Sequence, residues 1–190
     1  MGVLKNTIRW ATAIAAGVSL SACLISETPL LGAKNGRATP FAAGDYLACQ
    51  VEAEQSEPDC KGTAVSFDDT GLYSFKVDEE EEATLIRFRK VGRAGWLAQF
   101  GGGEEDDGFF YFVARVKGDG FTLTMITCED IPKSIRDKYA ARGEMEVDDT
   151  ASVCTATSLR AVMASAKAFL GPNAPDPKSQ IIYTKAAAGE

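Results

Sequence analysis

The stretch from Asp45 to Cys128 constrains the fold more than any other feature of the chain. Apolar and β-branched runs of strand length recur there between explicit turn chemistry, which is the pattern of consecutive strands. The spacing predicts strands at about 45–51, 60–67, 71–77, 83–90, 95–100, 109–117 and 120–128. Asp68-Asp69-Thr70-Gly71 and Lys117-Gly118-Asp119-Gly120 read as tight turns, with glycine where a positive φ is needed. Gly92-Arg93-Ala94-Gly95 is a looser turn, and Gly101-Gly102-Gly103 opens a longer loop. Consecutive hairpins make an antiparallel meander.

Pairs two residues apart mark one buried face: Val65 and Phe67, Tyr73 and Phe75, Ile86 and Phe88, Trp96 and Ala98, Phe110 and Phe112, Phe121 and Leu123. Phe109 to Val113 is apolar on both faces, so its second face needs a cover. Two helices can supply it. Asp130 is placed to cap a first one, with Pro132 in its opening turn, Ile131, Ile135 and Tyr139 as its stripe and Gly143 as its stop. Ser158 is placed to cap a second, carrying Leu159, Val162, Met163, Ala166, Phe169 and Leu170 up to Gly171-Pro172. A last short strand, 181–183, can return to the sheet edge. The expected fold is therefore mainly β, α+β in class. It is an antiparallel meander, open or closed as a small barrel of about seven to eight strands, with two C-terminal helices packed on it. It forms one domain over residues 45–190. Residues 24–44, punctuated by Pro29, Gly32, Gly36, Pro40 and Gly44, read as a tether.

The first 22 residues have the three parts of an export signal: Lys5 and Arg9 without acids, the apolar run Trp10 to Leu20, then small residues before Cys23. That run is about half the length needed to span a bilayer. Leu20-Ser21-Ala22-Cys23 resembles the lipobox of bacterial lipoproteins. The resemblance implies a diacylglyceryl thioether on Cys23, cleavage before it, and acylation (such as by palmitate) of the new amino group. Several chains together hold a protein stably on a membrane. With Leu24, rather than Asp, after the cysteine, the resemblance implies the periplasmic face of the outer membrane in a Gram-negative host.

Four cysteines remain, Cys49, Cys60, Cys128 and Cys154. An even number in an exported chain suggests two disulfides, with three connectivities open. The local pairs Cys49–Cys60 and Cys128–Cys154 are favoured, because the first two flank an acidic turn between strands and the others lie at a strand end and before a helix. No C-x-x-C occurs.

The formal net charge is −7, and removing the leader takes it to −9. An acidic domain lacks the basic footprint of a nucleic-acid binder. The chain contains no histidine, which excludes Ser-His and Cys-His catalysis and every His-ligated metal site. No Gly-x-Ser-x-Gly elbow and no P-loop is present. Neither a cofactor nor a metal is expected, and the acidic runs lack the ligand spacing of an EF-hand calcium loop.

In a meander, alternate turns share one end. One end should then gather Asp78, Glu79, Glu80, Glu81 and Glu82 with Glu104, Glu105, Asp106 and Asp107, a candidate partner surface. Arg87, Arg89, Lys90, Arg93 and Lys117 should lie at or near the other end, a candidate membrane-facing group at which the tether joins. The resulting expectation is a non-catalytic, lipid-anchored interaction or accessory module that meets another envelope protein. Two alternatives are a lipocalin-like carrier of a small hydrophobe or lipid, and an inhibitor of a periplasmic hydrolase. Lipid-anchored lysozyme inhibitors share the leader, the disulfide and the small β domain, but their aromatic-Ser-Gly signature is missing here. Inward aromatics decide between carrier and module: Phe67, Phe75, Phe88, Trp96, Phe110, Phe112 and Phe121 would fill a small barrel rather than line a cavity.

Overall fold

The alternating pattern does close into a barrel. The computed structural model describes residues 23–52, 58–78, 82–93, 95–101, 108–177 and 179–186. Seven strands follow one another as an antiparallel meander: β2 (Gly44–Glu52), β3 (Asp59–Phe67), β4 (Leu72–Val77), β5 (Thr84–Val91), β6 (Gly95–Gly101), β7 (Phe109–Lys117) and β8 (Gly120–Met125). The C-terminal strand β11 (Ser179–Lys185) then inserts between the first and last of them. It pairs with β2 from Ser179↔Glu52 to Lys185↔Tyr46, and with β8 from Gln180↔Thr124 to Tyr183↔Phe121. The strand expected at a sheet edge is thus the one that removes the edges.

The inward face is a packed aromatic core. Tyr46, Val65, Tyr73, Phe75, Ile86, Phe88, Ala98, Phe100, Phe112, Phe121, Leu123, Ile181 and Tyr183 are all buried in it. Of the expected inward set, Trp96 and Phe110 are partly buried against this core, while Phe67 is 41% exposed at the barrel's end with its ring on Tyr73.

Tyr111 and Val113, the outward residues of β7, need a second layer, as the two-faced run implied. It consists of β1 (Leu24–Ser26), β9 (Met145–Asp148), β10 (Val153–Ala156), α1 (Lys133–Ala140) and α2 (Leu159–Leu170). β1 lies between β7 and β10, antiparallel to the first and parallel to the second. Ser158 caps α2 by accepting from the Ala161 N–H at 3.2 Å. At the other end, the Arg115 guanidinium donates to the Phe169 carbonyl at 2.8 Å, a cation on an unpaired last-turn acceptor. Gly95 makes the close approach possible: a Cβ there would stand 2.5 Å from the Ala114 carbonyl and 2.8 Å from Leu170. Asp130 is not a helix cap. α1 starts two residues later behind Pro132, without a side-chain cap, and Asp130 instead accepts from Thr127 at 2.6 Å. Cys154 sits on β10, which ends just before α2.

Residues 24–44 are not a tether. After β1 the chain runs as a strap along the barrel. Leu31 is buried in the outer layer, Arg37 bridges Phe88, and Phe41 enters the aromatic core. Phe41 stacks on Phe121 with centroids 3.7 Å apart, and Phe121 stacks on Tyr183 at 4.3 Å. The Tyr73 and Tyr46 hydroxyls donate to the carbonyls of Phe41 and Ala42 and hold the strap in place. Gly71, at φ +73°, lets the β3–β4 turn touch the Arg37 backbone, 2.9 Å from where a Cβ would stand. Prolines and glycines marked this stretch as irregular, and irregular it is. Single apolar residues without a period nevertheless bind it to the domain.

Phe41→Ala should cost ~3–5 kcal/mol in urea unfolding, as for a buried aromatic whose cavity cannot collapse. Phe67→Ala, at a half-exposed ring, should cost about 1 kcal/mol or less by the same measurement.

Candidate functional site

Cys23 opens the described chain at a seam in the barrel wall. β8 pairs with β7 only as far as Met125↔Phe112, and then peels away. β1 takes over beside β7, with Ile25↔Phe110 and Ser26↔Phe109. Cys23 bridges Thr127 across this seam, Leu24 N–H donates to the Ile126 carbonyl at 2.9 Å, and Cys154 N–H donates to the Cys23 carbonyl at 3.2 Å. Cys23 is 2% exposed, and its Sγ lies 3.3 Å from the Met125 sulfur. It stands outside both disulfides. These are Cys49–Cys60, directly opposed across β2 and β3, and Cys128–Cys154, which ties the exit of β8 to β10.

The strap leaving this seam is held by a buried polar group that sequence reading missed. Gln99 points outward from β6 and accepts from the N–H groups of Leu30 and Leu31 at 2.8 and 2.6 Å, while donating to the Leu31 carbonyl. Tyr111 reaches the same oxygen at 3.3 Å, and its hydroxyl lies 2.6 Å from that of Ser26. Irregular backbone is buried here only because one amide answers three of its polar groups. A glutamine at a position otherwise alternating between core faces was the available signal.

The ends of the barrel sort as the meander implies. The starts of β3, β5, β7 and β11 share one end with the ends of β2, β4, β6 and β8. Asp78 and Glu82 are exposed there, whereas Glu79, Glu80, Glu81, Glu104, Glu105, Asp106 and Asp107 lie outside the described residues. The basic set divides. Lys90, Arg93 and Lys117 are exposed at or near the opposite end. Arg87 and Arg89 are half-buried and engaged: Arg87 donates to the Thr70 carbonyl at 3.3 Å, and Arg89 to the Asn35 carbonyl at 3.1 Å. They fasten the β3–β4 turn and the strap instead of forming a free cationic surface. Cys23 does not join the domain at that end either. It stands beside Met125 and Thr127, in the half that carries Asp78 and Glu82.

The barrel interior offers little room. Among the described residues, a pocket lined by Gln50, Phe112, Leu123, Met125 and Ser179 to Ile181 measures about 10 Å³. That is roughly the space of a single water. Thr63 Oγ1 is buried without a hydrogen-bond partner.

Outside, α2 packs on β5, β6, β7 and β10, and α1 on β9. The wall of β8, β11 and β2 is of a different kind. Alternating with the inward Phe121, Leu123, Ile181, Tyr183, Tyr46 and Ala48, its outward positions are Thr122, Thr124, Gln180, Ile182, Thr184, Leu47, Cys49 and Val51. None is charged. Cys60, Ala64 and Ser66 extend the same character onto β3, up to Gly62, over which the Asp78 carboxylate folds. Leu47 is 46% exposed.

Among the described residues no cluster of three metal-ligating side chains occurs, and no helix is long and apolar enough to cross a membrane. Neither a family model, nor a curated protein, nor a solved structure matches the chain.

Gln99→Leu should cost about 2–4 kcal/mol in thermal or urea unfolding, because it strands buried N–H groups. It should also open the 27–40 segment to limited proteolysis before global unfolding. The tyrosines give a pH test. Burial pushes the Tyr73 and Tyr111 phenols up to about 12, against the stabilising hydrogen bonds they make, and burial raises Tyr183 as well. The unfolded chain releases these protons near pH 10, so above that pH it binds fewer protons than the folded chain. Stability should be insensitive to these groups below pH 10 and should fall from there to about pH 12. Phenolate absorbance should rise together with loss of near-ultraviolet circular dichroism.

Proposed function

We propose that the protein is a lipid-anchored, non-catalytic module of a bacterial cell envelope, held at Cys23, that works through its outer surface by binding another envelope component. The observation that carries this reading is the filled interior. Phe41, Phe121 and Tyr183 stack through the middle of the barrel, and the pocket among the described residues beside Phe112 and Leu123 admits about 10 Å³. A carrier of a lipid-sized hydrophobe needs a pocket of several hundred Å³. Closed eight-stranded barrels do serve as carriers, but this one spends its inner volume on its own side chains. The anchor rests on Leu20-Ser21-Ala22-Cys23 and the leader before it. Cys23 itself is bonded into the sheet, bridging Thr127 and accepting from the Cys154 N–H.

The test is production of the full chain with its leader in a bacterial host fed an alkyne-bearing palmitate. The wild-type chain should take up the label and float with membranes, and Cys23→Ser should do neither. Native mass spectrometry of the Cys23→Ser protein should show a bare chain. A non-covalent mass of lipid size that leaves on activation would replace this reading with the carrier.

A further inference from the structure

We propose that the Cys49–Cys60 disulfide is a thiol–disulfide exchange site on the outer wall of the barrel, opened by a cationic or uncharged dithiol carrier, while Cys128–Cys154 stays closed. This goes beyond the anchored-module reading and does not rest on it.

Three observations carry it. The first is access. Cys49 and Cys60 point outward from β2 and β3, where Cys60 is exposed and Cys49 half-buried. The helices pack on β5, β6, β7, β9 and β10. Cys128 and Cys154, by contrast, are 1% and 0% exposed within the core of the outer layer. Exchange needs a thiolate to reach a sulfur, so an accessible disulfide is the labile one. The second is what remains once the bond opens. Cys49 and Cys60 are direct partners in a ladder that runs from Gly44↔Val65 to Gln50↔Asp59, and β11 holds β2 from Tyr46 to Glu52. Backbone pairing therefore keeps both strands in register without the sulfur bridge. Cys128–Cys154 instead ties the exit of β8 to β10, whose ladder partners are β1 and β9. The third is charge. The Asp78 carboxylate folds over Gly62, which lies two residues from Cys60 on the same face, roughly 7 Å along the strand. Asp59, beside Cys60, is exposed, while Lys61 falls on the inward-facing register with Thr63 and Val65. This surround repels a thiolate carried by an anion and favours one carried by a cation.

The carrier's first thiolate attacks Cys60 Sγ, the more exposed sulfur. The Cys49–Cys60 bond breaks, and Cys49 leaves as a thiolate that takes a proton from water. The carrier's second thiolate attacks the mixed disulfide and frees Cys60, which is protonated in turn. The carrier departs as its own disulfide, so two electrons have passed to the cysteine pair.

The test exposes the folded full chain to dithiothreitol, traps thiols with N-ethylmaleimide at intervals and locates them by peptide mass. Cys49 and Cys60 should be labelled about tenfold or more faster than Cys128 and Cys154. The chain reduced at that pair should keep a cooperative thermal transition. Equal rates, the reverse order, labelling only in denaturant, or loss of the transition would overturn the exchange site. Cysteamine and 2-mercaptoethanesulfonate then test the charge, each rate scaled to that with a small neutral disulfide. Cysteamine should be favoured about threefold or more at low salt, with the difference closing near 1 M salt. Asp78→Asn should narrow it. Equal or reversed preference at low salt would overturn the assignment of a cationic or uncharged carrier.

Discussion

Everything in this molecule is arranged around filling the inside of an eight-stranded barrel. The stack of Phe41 on Phe121 on Tyr183 draws its members from an irregular segment, from the seventh strand of the meander and from the closing strand. Tyr73 and Phe88 meet the same ring of Phe41 edge-on or tilted, at about 5 Å, the geometry aromatic quadrupoles favour. These contacts join parts of the chain that are far apart in sequence. Removing any member leaves the others facing a void that a closed wall cannot shrink to fill. A barrel occupied in this way keeps its inner volume for its own side chains and presents only its outer walls and ends to other molecules.

The second layer follows from one strand. β7 is apolar on both faces because it serves two cores, Phe112 and Ala114 inward, Tyr111 and Val113 outward. The cover over it is tied down by small, specific devices. Gly95 lets Leu170 close in, Arg115 answers the last carbonyls of α2, and the Cys128–Cys154 disulfide fixes the exit of β8 to β10. The strap belongs to this layer at Leu31 and to the inner core at Phe41. One segment therefore couples both cores, through Gln99 at one end and the Tyr73 and Tyr46 hydroxyls at the other.

The sequence was most legible where a period could accumulate. The seven meander strands lie within a residue or two of where alternation and turn glycines placed them, except that β8 stops three residues early. The two local cysteine pairs and the Ser158 cap follow from the same local logic. Periodicity was silent for β1, β9 and β10, which have three or four residues each and are stabilised by neighbours rather than by their own pattern. It misled for residues 24–44, because proline and glycine signal irregular backbone and say nothing about whether that backbone is anchored. Availability of charge was not legible: Arg87 and Arg89 look like surface cations until their carbonyl partners are in view. The outward face of β8, β11, β2 and β3, rich in threonine and small or aliphatic residues, was present in the sequence as alternate positions of four strands. It has meaning only once β11 is known to lie between β2 and β8.

That closing strand has a consequence for how the molecule is made. Among the described elements β11 is the last to be synthesised, and its two neighbours begin some 130 and 60 residues earlier, at Gly44 and Gly120. Until it arrives, β2 and β8 are open edges flanking unshielded aromatics, the condition that invites pairing between chains. A nascent or prematurely terminated chain is therefore a different object from a slightly shortened protein: it is an open sheet. Synthesis of β11 acts as the checkpoint, and a stop codon just before Ser179 should be as damaging as one in the middle.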